Sequence, residues 1–414
     1  MSAVQSESRF RALARRLFSG LPGARSASRI AADPGLRTVA FVFTLSRVTV
    51  LAILLLTALL QITPDPDFPG HFDASLNAEK VQVARILRQE VQTADINWYI
   101  GIAEHGYEHR PSDAQVPHNW VFFPLFPLVL HLAHYITGEF ALTGAVLSHI
   151  FFFFALLLLY RLAVVFGFAE NSPRAVFYLA FFPVSYFFSL PVTESLFLLL
   201  TVASFLSAKL EKWWLAGLIG ALASATRFSG VLLLPALVVL YFESGRDRPR
   251  KLGPELAWLL IIPSGLVAFM AYLHAITGDA LAFVKSQAAW SRRPGFFLTP
   301  LYDYLANPAE IVAKWDFRTL NFVAAVMVIV CAGVLFKRRQ FALATYSILS
   351  VVLTLSSTLL QSQARYAMVV FPVYLVLGVA GRNDKFDQVL RLIFIVLLTF
   401  LTAMFARHVT LALS

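Results

Sequence analysis

Glu194, Arg227 and Arg365 each interrupt long apolar runs, with no polar loop around them. Two arginines and an acid converging on one face would suit an anionic, lipid-borne ligand, because the planar guanidinium fork matches phosphate oxygens. The competing reading is that the three pair with one another and simply hold the fold together. Upstream, Asp95-Ile96-Asn97-Trp98-Tyr99 sets a carboxylate beside interfacial aromatics. In such a half-dry place a carboxylate can act as a general base toward a hydroxyl. It can equally be an N-cap that satisfies free backbone N–H groups, and residue chemistry leaves both readings open. His105 and His109 are spaced i,i+4, as a metal pair on one helical face would be. Gly106 breaks the helix between them and no third ligand has motif spacing, so no metal is expected. No Walker loop, GxGxxG or Ser-His-Asp spacing is present.

The elements that position these residues follow from composition. Of the 414 residues, 58% are apolar and 14% charged, against about 45–50% and about 25% in a soluble domain. That excess cannot be hidden in one water-soluble core of this size. The net charge of +10 is concentrated in short loops between apolar runs, as membrane topology requires, and so does not point to nucleic acid. The single cysteine, Cys331, lies in an apolar run and cannot form an internal disulfide. No repeat or low-complexity linker divides the chain.

Residues 1–38 form a basic tail carrying Arg9, Arg11, Arg15, Arg16, Arg25, Arg29 and Arg37. The first apolar run, 39–61, is too long for a signal-peptide core and reads as a retained span, with the tail in the cytoplasm. Arg47, near its inner end, is expected to snorkel to the interface. Further spans are expected at 141–166, 174–190, 194–209, 213–226, 228–243, 255–277, 319–336, 341–360, 366–380 and 390–412. This is an all-α polytopic membrane protein of ten or eleven spans. All five basic loops between spans fall on the cytoplasmic side if 122–136 does not cross; that short stretch, with Pro124, Pro127, His131 and His134, suits an interfacial or re-entrant segment. The same parity puts Asp95, Glu194, Arg227, Arg292, Arg293 and Arg365 together on the non-cytoplasmic side. A long outer loop spans 62–140, and within it 78–92 reads as an amphipathic helix lying on the membrane.

At these residues the sequence resembles the polytopic GT-C glycosyltransferases, and among them the PIG-V type (GPI mannosyltransferase II) with its prokaryotic relatives. The resemblance runs in scattered blocks from Arg47 to Pro372. The first is Asp95 with Trp98-Tyr99, Ile102-Ala103 and Gly106-Tyr107. Then come Phe122-Phe123-Pro124-Leu125-Phe126-Pro127, and Phe182-Pro183 with Ser185 and Ser189, closing in Thr193-Glu194-Ser195. Thr226-Arg227 with Gly230 and Arg365-Tyr366 with Phe371-Pro372 complete the set. The order and spacing of the blocks carry more than any one of them. Many relatives have Trp before the catalytic Asp, whereas Ala94 stands here.

The resemblance implies a GT-C-type bundle whose large first outer loop carries the catalytic acid, at Asp95, with a second-loop acid at Glu194. It divides the chain into a catalytic membrane module at 39–243 and a C-terminal transmembrane module at 244–414. The expected donor is a sugar, mannose by family, on a polyprenyl phosphate. The expected acceptor is lipid-linked or a glycolipid; a prokaryotic member would need one other than a GPI precursor. The expected partners are donor, acceptor and membrane lipids, with no nucleic acid. Eukaryotic relatives can also depend on a membrane partner subunit. The location would be the cell membrane, or the endoplasmic reticulum membrane in a eukaryote. In the resulting scheme Asp95 takes the acceptor proton and Arg227, Arg365, Arg292 and Arg293 receive the phosphate, so no metal or other cofactor is expected. Glu194, Trp98, Tyr99, Tyr107 and Tyr366 are the expected substrate contacts. A lipid or solute transporter is the alternative; it would spread its charges along a midplane path and show an inverted repeat.

Overall fold

The computed structural model describes residues 33–59, 63–64, 72–73, 95–244, 253–290, 292–307 and 318–406. The tail before residue 33, the expected amphipathic segment 78–92 and the basic loop 246–251 lie outside these residues. The described residues are mostly helical, and their only strands are one two-residue antiparallel pairing in the outer loop, β1 (Thr63–Pro64) with β2 (Phe72–Asp73).

The helices in chain order are α1 (Pro34–Leu59), α2 (Asp95–His105), α3 (Leu125–Thr137), α4 (Phe140–Val165), α5 (Ser172–Ala180), α6 (Glu194–Lys209), α7 (Trp213–Thr226) and α8 (Leu233–Glu243). They continue with α9 (Glu255–Leu259), α10 (Ser264–Thr277), α11 (Ala282–Lys285), α12 (Thr299–Ala306), α13 (Arg318–Lys337) and α14 (Phe341–Leu355). The chain closes with α15 (Gln363–Met368), α16 (Pro372–Ala380) and α17 (Asp384–Ala406). Among the described residues, five segments are long and apolar enough to cross a membrane: 34–57, 140–165, 255–277, 318–337 and 384–406. α3, α7, α14 and the segment 228–243 are apolar but shorter. The chain is a multi-pass membrane protein.

α6 lies at the centre. It is buried around most of its circumference and packs on α4 and α7. α1 bridges α4 and α17, α13 and α14 pair with each other, and α8 closes against α14. α7 makes the tightest seam. A Cβ at Gly217 would run into the Trp258 carbonyl, and one at Gly265 would run into the Ala221 carbonyl and the Ala225 amide. Small residues let helix backbones come this close, which is how helices gain packing energy in lipid.

Several stretches expected as continuous spans are broken, and two of these breaks lie side by side. In 174–190, α5 stops at Ala180 and a 3-10 segment, Ser185–Ser189, follows. In 366–380, α15 stops at Met368, and Pro372 opens α16 as an N-terminal proline. α5 and α16 pack together, so the two breaks are neighbours. Broken backbone is tolerated at membrane depth where it is buried in protein with its polar groups satisfied.

Arg47 supplies that satisfaction, which corrects the snorkelling expectation. It is 3% exposed. Its Nη1 donates to the Ser185 carbonyl (2.8 Å) and Ser189 Oγ (2.9 Å), and its Nη2 to the Ala180 carbonyl (3.0 Å) and Ser185 Oγ (3.1 Å). Nε points at Ser46 Oγ (3.3 Å), and the guanidinium lies over the Phe152 ring. Turning inward to meet these freed acceptors replaces the hydration that an interfacial position would give.

The segment 122–136 follows a short 3-10 turn, Asn119–Val121, and is mostly α3. α3 buries Phe126, Pro127 and Leu130 and exposes Leu128, Leu132, Tyr135 and Ile136. Gly138, at φ +78°, ends it and turns the chain back along α4. This two-faced, half-length helix fits an interfacial segment.

Candidate active site

A cavity of about 630 Å³ opens where α2, the α7–α8 junction, the 283–294 segment and the chain leading into α15 meet. Its polar wall holds Asp95, Arg227, Arg292, Arg293, Arg365 and Tyr366, with Trp98 and Tyr99 alongside. Residues 170 and more positions apart in sequence therefore share one wall.

Each side chain is placed by a helix end or a break. Asp95 is the first residue of α2 and Glu194 the first of α6, where the positive helix end favours a carboxylate. Arg227 has extended backbone between α7 and the next 3-10 turn. Arg365 lies in the one-and-a-half-turn α15 beside the break. The charges are tied in a row. Glu194 Oε1 accepts from Arg227 Nη1 at 2.8 Å and from Arg365 Nε at 2.5 Å. Arg365 Nη1 in turn donates to Asp95 Oδ2. The Arg365 guanidinium also lies 4.5 Å over the Phe187 ring, within the 3-10 segment that Arg47 staples.

Burial separates the roles of the two acids. Glu194 is fully buried behind the wall, whereas the Asp95 side chain is 34% exposed and faces the cavity. Glu194 does not line the cavity and is bonded to both arginines. Its Oε2 has no hydrogen-bond partner among the described residues. The Tyr99 hydroxyl lies 3.3 Å from Thr193 Oγ1. Burial, and after it the neighbouring Glu194 charge, pushes this phenol above the ordinary tyrosine range, so it stays protonated.

The other wall carries a backbone clip. Residues 292–295 run antiparallel to 356–358: Thr358 N–H donates to the Arg293 carbonyl at 2.9 Å, and Pro294 bridges Ser357. Arg292 donates from Nη1 to the Tyr366 hydroxyl at 2.5 Å and from Nη2 to Ser362 Oγ at 3.3 Å. Ser362 itself has left-handed backbone, φ +59° and ψ 15°. Arg227 and Arg292 lie over the Tyr366 ring at 5.5 and 5.6 Å. Phe228, Phe283, Val284, Leu353 and Leu359 form an apolar wall beside these groups.

Every sequence-predicted site residue except Glu194 and Tyr107 lines this cavity. Tyr107 lies outside the cavity lining. It packs on Phe269 and Tyr272 and donates its hydroxyl to the Phe122 carbonyl at 2.6 Å. That bond ties the end of α2 to the outer-loop turn, and the ring is buried. Sequence reasoning missed Ser362, Gln287 and Phe187, none of which carries a charge or motif to mark it. Among the described residues, no three His, Cys, Asp or Glu side chains gather as a metal site.

Residues 38–244 match the family model described as Mannosyltransferase (PIG-V), which is half of the chain. The human GPI alpha-1,6-mannosyltransferase 2 is 26% identical over 199 residues, covering 43% of this chain and 38% of the human protein. The same enzyme of Cricetulus griseus is 29% identical over 152 residues, covering 33% of this chain and 29% of that protein. The chain thus spans well under two thirds of the length of these relatives. Among solved structures, the Archaeoglobus fulgidus oligosaccharyltransferase tethered to an acceptor peptide superposes with a TM-score of 0.45 at 12% identity, over 89% of this chain and 55% of that one. The same enzyme in complex with Zn and sulfate gives 0.41 at 14% identity, over 87% and 53%. On the extent of the family match, the chain belongs to the PIG-V mannosyltransferase family.

Proposed function

We propose that this protein is an inverting glycosyltransferase of GT-C type. It moves a sugar, mannose by family, from a polyprenyl-phosphate donor to a lipid-linked or glycolipid acceptor on the non-cytoplasmic face of the membrane. The observation that carries this reading is one cavity holding a half-exposed carboxylate, four guanidinium groups and an apolar wall. A sugar phosphate with a lipid tail has the matching parts. The gathering of Asp95, Arg227 and Arg365 at one cavity, with Glu194 directly behind, favours an enzyme over a transporter with charges strung along a path.

Asp95 accepts the proton of the acceptor hydroxyl as that oxygen attacks the anomeric carbon. The bond between the anomeric carbon and the phosphate oxygen breaks on the opposite face, and polyprenyl phosphate leaves with the electron pair. Guanidinium groups already in place stabilise the charge that develops on it. Arg365 fixes one oxygen of Asp95, which aims the other at the acceptor. Trp98, stacked on Phe122 at 5.8 Å between centroids, offers an aromatic edge to the sugar.

The test is a transfer assay in nanodiscs with polyprenyl-phosphate mannose and a native lipid extract, wild type beside Asp95→Asn. Donor consumption by wild type, reduced about 10²–10⁴-fold in the variant, supports the reading. Full turnover by Asp95→Asn would remove Asp95 as the base.

A further inference from the structure

The four arginines of the cavity are not equivalent, and their partners divide them. Arg227 and Arg365 are matched by carboxylates: Glu194 takes both, and Asp95 takes Arg365. Among the described residues Arg292 meets only neutral hydroxyls, those of Tyr366 and Ser362. Arg293 has no side-chain partner among the described residues, although its backbone is pinned to Thr358. Among the described residues, the cavity arginines without a carboxylate partner are therefore those of the 292–293 segment. An arginine fork with no carboxylate partner keeps its planar set of donors for phosphate oxygens.

Three further features make this segment a built cradle. The clip with 356–358 fixes the backbone that carries both arginines. The Tyr366 hydroxyl and Ser362 Oγ hold two arms of the Arg292 fork in place, so little side-chain freedom is lost on binding. Phe228, Phe283, Val284, Leu353 and Leu359 line the same cavity, and Phe228, Val284 and Leu359 are 38%, 45% and 38% exposed toward the surroundings of the bundle. A ligand with an anionic head and an apolar tail can satisfy both parts at once.

We propose that Arg292 and Arg293 form the subsite for the phosphate of an isoprenoid phosphate, with its tail leaving along the Phe228–Val284–Leu359 wall. Arg227 and Arg365, held by Glu194 and Asp95, instead position the base. This assignment rests on the donor class proposed above. It divides into two groups the arginines that the sequence treats as one set.

The experiment measures binding of polyprenyl phosphate, the spent donor, to protein in nanodiscs, with inorganic phosphate as a second probe. Wild type is compared with Arg292→Gln, Arg293→Gln and the double variant, whose side chains are partly or fully exposed. The expected result is about a tenfold loss for each single variant, a larger loss for the double variant, and an affinity that falls with salt. Donor kcat/KM should fall with the loss of binding, and kcat with it, because the same guanidinium groups stabilise the charge developing on the leaving phosphate, while the unfolding midpoint stays at the wild-type value. A merely structural role would lower the unfolding midpoint together with binding. Inorganic phosphate should bind far more weakly than the prenyl phosphate; equal binding would overturn the tail assignment. Unchanged binding by the double variant would overturn the phosphate subsite while leaving the donor class standing. Failure of wild type to bind polyprenyl phosphate would overturn the donor class and this subsite together.

Discussion

Arg47 and Ser185 are 138 residues apart, yet one guanidinium donates to both the carbonyl and the hydroxyl of that serine, at 2.8 and 3.1 Å. A lysine has a single ammonium in place of the fork and cannot reach four acceptors spread over ten residues. Each buried acceptor left without a donor costs about 1–3 kcal/mol. Arg47→Lys should therefore lose about 2 kcal/mol or more of stability, and Arg47→Leu more still. Unfolding midpoints in detergent will show it, and unchanged midpoints would mean that the break at 181–184 is held by something else.

Glu194→Gln should damage both activity and stability. The carboxylate is fully buried between two guanidinium groups, and removing one partner of a buried pair costs about 3–5 kcal/mol. Without it, Arg227 and Arg365 repel each other and Arg365 no longer fixes Asp95. The expected readout is a kcat loss of at least about tenfold with a lowered midpoint. Glu194→Asp, one methylene shorter, should recover only part of either. A variant with wild-type kcat and midpoint would contradict the row of charges described here.

Tyr107→Phe separates a structural tyrosine from a binding one. It removes the hydroxyl that donates to the Phe122 carbonyl and should cost about 1–3 kcal/mol of stability. Donor KM should not change. A raised KM at full stability would return Tyr107 to the site.

Gly265→Ala tests the helix seam. The added methyl meets the Ala221 carbonyl and the Ala225 amide, both backbone and unable to give way cheaply. Overpacking of this kind costs about 1–3 kcal/mol. Gly333→Ala, where nothing lies near the added atom, is the control and should be neutral.

Acid should loosen one identifiable ion pair, next in sequence to the cavity-lining Phe283 and Val284. Lys285, bonded to Asp279 at 2.6 Å, holds that carboxylate below its ordinary range, and the Leu281 amide assists. A depressed carboxylate contributes stability that is present above its unfolded value, about 3.9. That contribution is lost as pH falls through the lower folded value. The difference in midpoint between wild type and Asp279→Asn should thus be small but present at pH 6 and shrink below about pH 4. A constant difference across that window would show that the pair is not coupled to folding.

Much of this arrangement was legible in the chain, and the exceptions share a cause. Loop charge places Asp95, Glu194, Arg227, Arg292, Arg293 and Arg365 in one set, and all but the buried Glu194 line one cavity, with Glu194 directly behind. Hydropathy cannot show where an apolar run stops being helical. The breaks at 181–184 and 369–371 are as apolar as their flanks, and Pro183 and Pro372 mark them only in retrospect. Arg47 reads as a snorkelling residue because its partners are backbone carbonyls freed by a break that hydropathy hides. The division among the arginines depends on which guanidinium meets a carboxylate across 33 or 171 residues, and no local pattern encodes that.

Ser362 holds a left-handed backbone that a side chain makes unfavourable by about 1–2 kcal/mol, and its hydroxyl is one of two that steady Arg292. A glycine there would relax the backbone and release the arginine in the same stroke. Efforts to toughen the protein for purification by consensus or by relieving strain will therefore be drawn to position 362. The sturdier molecule they produce would be poorer at recognising what it binds.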